Sequence, residues 1–283
     1  MHIHVTKADG SLEFFKVEKL RRSLRRAGAT QTEVLDIVHT ISTDLYEGIS
    51  TQEIYRRAFA LLRQTEAGAA ARYSLRRALF GLGPTGFPFE LFLARLFEAE
   101  GYEVRTGIIL EGKCAPHEID IAAFNRTHSF IGEAKFHARP GIKSDLQVAL
   151  YSYARLLDLK ERKICAEDHC GITEFWLITN TKFTTTAEAY SRCVGLNLLS
   201  WDFPRHHNLH DRIQKSGVYP ITVLSSLSSA QAATLIERRV ILCRDLVENQ
   251  HLIRHLHLAP EKATAVLAEA TAIVAAYSRS VAT

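Results

Sequence analysis

No proline occurs in the first 83 residues of this 283-residue chain, and then Pro84 and Pro88 fall together inside Gly81-Leu82-Gly83-Pro84-Thr85-Gly86-Phe87-Pro88. Proline lacks an N–H donor and breaks a helix from within, whereas a Gly/Pro cluster punctuates a chain. The architecture is therefore expected to change at residue 84. Before it, apolar residues spaced by three and four predict helices over 17–27, 31–47, 50–64 and 68–79. Ser50 and Glu53 supply a capping box for the third of these. Ahead of the helices, residues 3–6 and 12–15 flank Lys7-Ala8-Asp9-Gly10-Ser11, which predicts a β-hairpin closed by its Asp-Gly turn.

After the linker the periodicity shortens. A helix over 89–100 is followed by strands over 102–110, 118–124 and 129–135, a helix over 143–159, a strand over 175–179, a helix over 185–193 and a strand over 196–201. Beyond Pro204 the pattern is helical again, around 228–236, 242–249, 252–256 and 261–277. The expected fold is multidomain: an α-helical bundle with a β-hairpin cap over 1–83, an α/β domain of order αβββαβ over 84–205, and an all-α piece over 206–283.

A 47% hydrophobic composition excludes a disordered chain, and no apolar run approaches the roughly 18 residues of a membrane helix. The N-terminal residues lack the apolar core of a signal peptide, so a cytoplasmic protein without membrane contact is expected. Five scattered cysteines suggest reduced thiols, and Cys165-x4-Cys170 with His169 lacks the second ligand pair of a zinc site. The 35 Lys+Arg against 31 Asp+Glu hint at a polyanionic partner. Residues 84–205, however, hold 14 bases and 16 acids, so the surplus lies in the flanking pieces.

The chemistry-bearing segment is His117-Glu118-Ile119-Asp120-Ile121-Ala122-Ala123, a short polar turn, then Ile131-Gly132-Glu133-Ala134-Lys135. Side chains two apart on a strand share a face, so Glu133 and Lys135 project together, and a hairpin brings Asp120 to them. Hard carboxylate oxygens suit Mg²⁺ or Mn²⁺, which activates water and neutralises a phosphate. Lys135, beside two carboxylates, suits positioning the attacking water better than acting as a base. The plain alternative is a salt bridge on an exposed edge strand. Glu118 shares the face of Asp120, as a metal-site neighbour or a salt-bridge partner.

This segment resembles the PD-(D/E)xK nuclease domain of Mrr-like restriction endonucleases over about residues 86–203. The resemblance implies a restriction-endonuclease-like fold with Asp120 and Glu133 as metal ligands and Lys135 as the third catalytic residue. Gly86-Phe87-Pro88-Phe89-Glu90 resembles the family's first helix, which makes Glu90 a candidate carboxylate of the site. Asp145-Leu146-Gln147-Val148-Ala149-Leu150-Tyr151 resembles the following helix and offers Gln147. The family's Pro-Asp dipeptide is replaced by Ile119-Asp120.

The first 83 residues resemble an ATP-cone, the nucleotide-binding regulatory domain of ribonucleotide reductases. Val5 to Ser11, Glu13, Lys19 and Gly48 to Ile54 carry the likeness. It implies ATP or dATP held by Val5, Lys7, Glu13, Lys19 and Thr51, with the two lysines at the phosphates. Ala8 stands where the family has a second basic residue, and Tyr55 where it has a His. Residues 224–270 resemble a degenerate helix-hairpin-helix module without the Gly of its turn. The expected activity is a divalent-metal-dependent DNA endonuclease controlled by a nucleotide, with DNA and nucleotide as partners and a homodimer or higher oligomer as an assembly it could form. Its alternatives are a nucleotide-sensing DNA-binding regulator with a non-catalytic nuclease-like fold, and a nuclease of RNA or branched DNA.

Overall fold

The structure, a computed structural model, describes residues 3–7, 9–65, 67–165 and 170–281. Strands β1 (His4–Thr6) and β2 (Leu12–Phe14) pair antiparallel. The turn between them is held by Asp9, whose Oδ1 accepts from the backbone N–H and the hydroxyl of Ser11. Ala8 lies outside the described residues. Four helices follow: α1 (Val17–Arg26), α2 (Gln31–Thr43), α3 (Thr51–Thr65) and α4 (Ala67–Phe80). Thr30 and Glu33 form a reciprocal capping box at α2, and Ser50 Oγ accepts from Glu53 N–H at 3.0 Å to start α3. Helix α2 stops short of the expected residue 47, because the turn after it returns Ile49, fully buried, to the core.

The central piece runs α5 (Phe87–Ala99), β3 (Glu103–Glu111), β4 (Pro116–Phe124), β5 (Ser129–Lys135), β6 (Lys143–Ser144), α6 (Leu146–Leu159), β7 (Glu174–Thr179), β8 (Lys182–Phe183), α7 (Thr185–Val194) and β9 (Asn197–Leu199). Its mixed sheet has the order β3-β4-β5-β7-β9, antiparallel from β3 to β5 and parallel from β5 to β9. Strand β5 is thus the central one. Ile121, Ala123, Phe130 and Ile178 pack with Phe89, Phe92 and Phe97 of α5. Ala122, Phe124, Ile131 and Leu177 pack instead with Ala149 and Leu159 of α6 and Ala187 of α7. Helix α6 begins three residues later than its periodicity predicts: Lys143 and Ser144 pair parallel with Lys182 and Phe183, and Asp145 caps the helix through Val148 N–H.

The last piece comprises α8 (Leu209–Ser216), a 3₁₀ turn (Ile221–Val223), α9 (Ser229–Glu237), α10 (Cys243–Glu248), a second 3₁₀ segment (Gln250–Leu256) and α11 (Pro260–Val281). The polar run His206-His207-Asn208-Leu209-His210 contains the start of a helix. Asn208 caps α8, and His210 is buried with its ring edge-on to Trp201 at 4.9 Å. Arg239 occupies a left-handed position after α9, with φ +62°, where a helix-hairpin-helix turn would use glycine. Helix α4 belongs to two cores: Ala69 and Ala70 pack in the N-terminal bundle, whereas Leu75, Leu79 and the following Leu82 join α5 and the C-terminal helices. The pieces over 84–205 and 206–283 share that second core.

Cys165 and Cys170 are joined as a disulfide, which replaces the expected free thiols at these two positions and removes both from any zinc site. His169 lies outside the described residues. Among the described residues no helix is long and apolar enough to cross a membrane.

Candidate active site

The ladder of β4 on β5 ends with the pair Ile121–Gly132, which leaves Asp120 and Glu133 as neighbours just beyond it. Glu133 projects toward α6, where Arg155 meets it, and Lys135, two residues on along the strand, leaves on the same face. Asp120 Oδ2 accepts from Ala134 N–H at 2.7 Å, and Lys135 Nζ lies 2.8 Å from Glu133 Oε1. Glu133 is only 4% exposed and sits on the central strand, so the edge-strand surface salt bridge is excluded.

The second cation on Glu133 was not anticipated. Arg155 Nη1 donates to Glu133 Oε2 and to the carbonyl of Glu118 at 3.0 Å, and its Nη2 donates to Tyr151 Oη. The guanidinium carbon lies 4.6 Å from the centroid of the Tyr151 ring. Gln147, the helix residue expected to serve the site, is exposed in the first turn of α6. Each step of four residues turns a helix by about 40° past a full circle, so Gln147 stands about 80° around the axis from Arg155. Arg155 falls on the buried stripe of Ala149, Ser152 and Leu159. An arginine placed on an apolar stripe was the available signal.

Glu90 enters from the first turn of α5, half-buried. Gly86 makes room for it: a Cβ there would stand 3.2 Å from Glu90 Oε1. Burial, then the charges of Asp120, Glu118 and Glu133, push the Glu90 carboxyl up to about 7. Burial, then Glu133, push Asp120 up to about 6 against the favourable Ala134 N–H. Two of the three carboxyls thus lack adequate positive charge, because Arg155 and Lys135 are both committed to Glu133. A divalent cation fits that deficit, and the donors are hard oxygens. Among the described residues no group of three or more His, Cys, Asp or Glu side chains is placed to hold a metal ion. An ion held here would rest on at most two protein carboxylates and keep waters in its remaining positions.

A cavity of about 440 Å³ lies between the hairpin, α1 and α3, and is lined by all of Val5, Lys7, Glu13, Lys19 and Thr51. Lys7 and Lys19 both form ion pairs with Glu13, and Lys19 first, then Lys7, pull its carboxyl down to about 2. Tyr55, at the position of the family's His, lines the same cavity and stacks on Tyr73 at 5.0 Å. Arg76 of α4 reaches the cavity as well, a cation that sequence reasoning did not assign.

Residues 3–79 match the ATP cone domain, and residues 219–274 match the family described as AF1548-like, C-terminal. An uncharacterized protein of Archaeoglobus fulgidus is 34% identical over 183 residues, covering 64% of this chain and 99% of that relative. A crystal structure of a protein of unknown function, AF1548, is similar with a TM-score of 0.55 and 32% identity, covering 68% of this chain and all of that one. The chain therefore belongs to the AF1548-like family and carries an ATP-cone domain at its N-terminus.

Proposed function

We propose that this protein is a divalent-metal-dependent DNA endonuclease whose activity is controlled by ATP or dATP in the cone. The observation that carries the reading is the convergence of Asp120, Glu133 and Lys135 where β4 and β5 part, with Glu90 approaching from α5. Asp120 and Glu133 would hold an Mg²⁺ or Mn²⁺ ion. When bound, such an ion lowers the pKa of water and neutralises charge on the phosphate. Arg155 fixes the orientation of the Glu133 carboxylate. Lys135, partly exposed, orients the attacking water and offsets charge on the phosphoryl oxygens. Glu90 supplies a further carboxylate on the α5 side.

Nucleotide control is supported by the cone and by the convergence of Lys7, Lys19 and Thr51 on one cavity. Phosphates would take over the two ammonium groups that Glu13 now holds. The sharing of α4 between the cone and the core beneath the sheet offers a route for such control.

The deciding experiment incubates the purified protein with supercoiled and linear DNA in Mg²⁺ or Mn²⁺, with and without ATP or dATP. Cleavage that falls about 100- to 1,000-fold in Lys135→Ala and Asp120→Asn is expected, the cost of losing one preorganised group at a transition state. Cleavage unchanged in both variants overturns the reading. DNA retained without cleavage in either metal favours a DNA-binding regulator instead.

A further inference from the structure

Immediately beyond Lys135 the chain leaves the sheet as a loop whose two ends are buried and whose middle is entirely exposed. Asn180, fully buried, accepts from His137 N–H and donates to His137 C=O, both at 2.9 Å. Thr179 Oγ1 donates to Lys135 C=O at 2.7 Å. At the other end Ser144, also buried, meets the His137 ring through its Oγ at 3.1 Å and accepts from Thr184 N–H at 3.0 Å through its carbonyl. Between these roots all six residues, Ala138-Arg139-Pro140-Gly141-Ile142-Lys143, face solvent. Gly141, at φ +95°, permits the reversal after Pro140.

From Lys135 to Lys143 the segment holds three cations and no acid. Arg139 and Lys143 have no carboxylate partner among the described residues. Lys143 is set beside a further cation, Lys182, by the pairing of β6 with β8. Like charges in register are unfavourable within a sheet. Lys182 is offset by Asp202 at 2.6 Å, whereas Lys143 is not offset at all. Ile142, 45% exposed, stands between the two cations and adds an apolar contact at the tip. A rigidly rooted, cationic loop with an apolar tip, beginning at a carboxylate site, has the chemistry of a surface for a phosphodiester backbone.

We infer that loop 138–143 is the DNA-gripping element of the site, with Arg139 and Lys143 each neutralising a phosphate beside the one that is cut. The inference rests on the nuclease reading. It also meets a need of that reading, since residues 84–205 carry more acids than bases and affinity must come from local cations.

The test measures binding of a fluorescein-labelled 20-base-pair duplex to the full chain by anisotropy, in Ca²⁺, across a series of salt concentrations. Arg139→Ala/Lys143→Ala is expected to weaken binding at least tenfold at low salt. It is also expected to reduce the slope of log K against log salt by about 1.8, two phosphate contacts at about 0.9 each. A control with the same loss of charge elsewhere, Lys160→Ala/Arg192→Ala, is expected to keep the wild-type slope. The rise in Tm on adding Mg²⁺ should be equal in all three proteins, which shows that the carboxylate site is intact. Equal slopes for wild type and loop variant overturn the inference and leave the nuclease reading standing. A wild-type protein that neither binds nor cleaves the duplex overturns both.

Discussion

Glu13 in the cone and Glu133 in the sheet are each gripped by two cations, yet the two trios behave as opposites. Lys7 and Lys19 are 44% and 62% exposed, so water competes for them and an incoming phosphate can replace Glu13. The side chains of Arg155 and Glu133 are only 9% and 6% exposed, and Lys135 holds the same carboxylate from its other oxygen. One trio is exchangeable, as a ligand cavity requires. The other is a frame, and its cost is felt by Asp120 and Glu90, which are left near it without a cation of their own.

The largest expected effect separates frame from exchange. Arg155→Ala should destabilise the protein by about 3–5 kcal/mol in urea unfolding, because it strands a buried carboxylate. Arg155→Met combined with Glu133→Leu should recover most of that loss, since a buried pair can often be replaced by apolar groups. A cost below about 1 kcal/mol for Arg155→Ala would make this trio as exchangeable as the cone's.

Next in size is the response to metal. Mg²⁺ or Mn²⁺ at about a hundred times its dissociation constant should raise Tm by several degrees. Asp120→Asn should abolish the rise, and differential scanning fluorimetry reads both. A carboxylate held without any cation calibrates the pair. Glu269 of α11 accepts from Ser225 N–H, Ser225 Oγ and Ser226 N–H at 2.7–2.9 Å. Burial pushes its carboxyl up, but these donors outweigh burial and hold it below the ordinary value. Its charged form therefore stabilises the fold above the unfolded pKa of about 4.3, and that contribution is lost as pH falls through the folded pKa. Glu269→Gln should cost about 1–3 kcal/mol at pH 7, shrinking toward pH 3.

The smallest effect falls in the cone. Lys19→Ala should weaken ATP or dATP binding about tenfold in calorimetry, the loss of one charge-assisted contact, with the folded state unaltered. Unchanged affinity would mean that Glu13 keeps its lysines when nucleotide binds.

Much of this layout was legible in the residues. The apolar run over 129–135 and the Ser50 cap marked elements correctly, because strand composition and capping are local, whereas the Glu53 half of the expected box accepts from Tyr46 and Arg57 instead. The spacing of Glu133 and Lys135 placed them on one face for the same reason. Arg155 was not legible as a partner of Glu133, since the choice between Gln147 and Arg155 depends on how far α6 is rotated against the sheet. The two-residue β6–β8 pair was hidden because strands so short carry no periodic signal. His210 looked solvated among its polar neighbours until Trp201 covered it.

What the sequence by itself determined are the elements and the face on which each side chain leaves its strand, because hydrogen-bond period and pleat act within a few residues. Only the tertiary structure decided which carboxylates share a cation, which helix serves two cores, and which loop stands free beside Lys135. Those outcomes follow from burial, and burial is set by elements far apart in the chain competing for the same apolar surface.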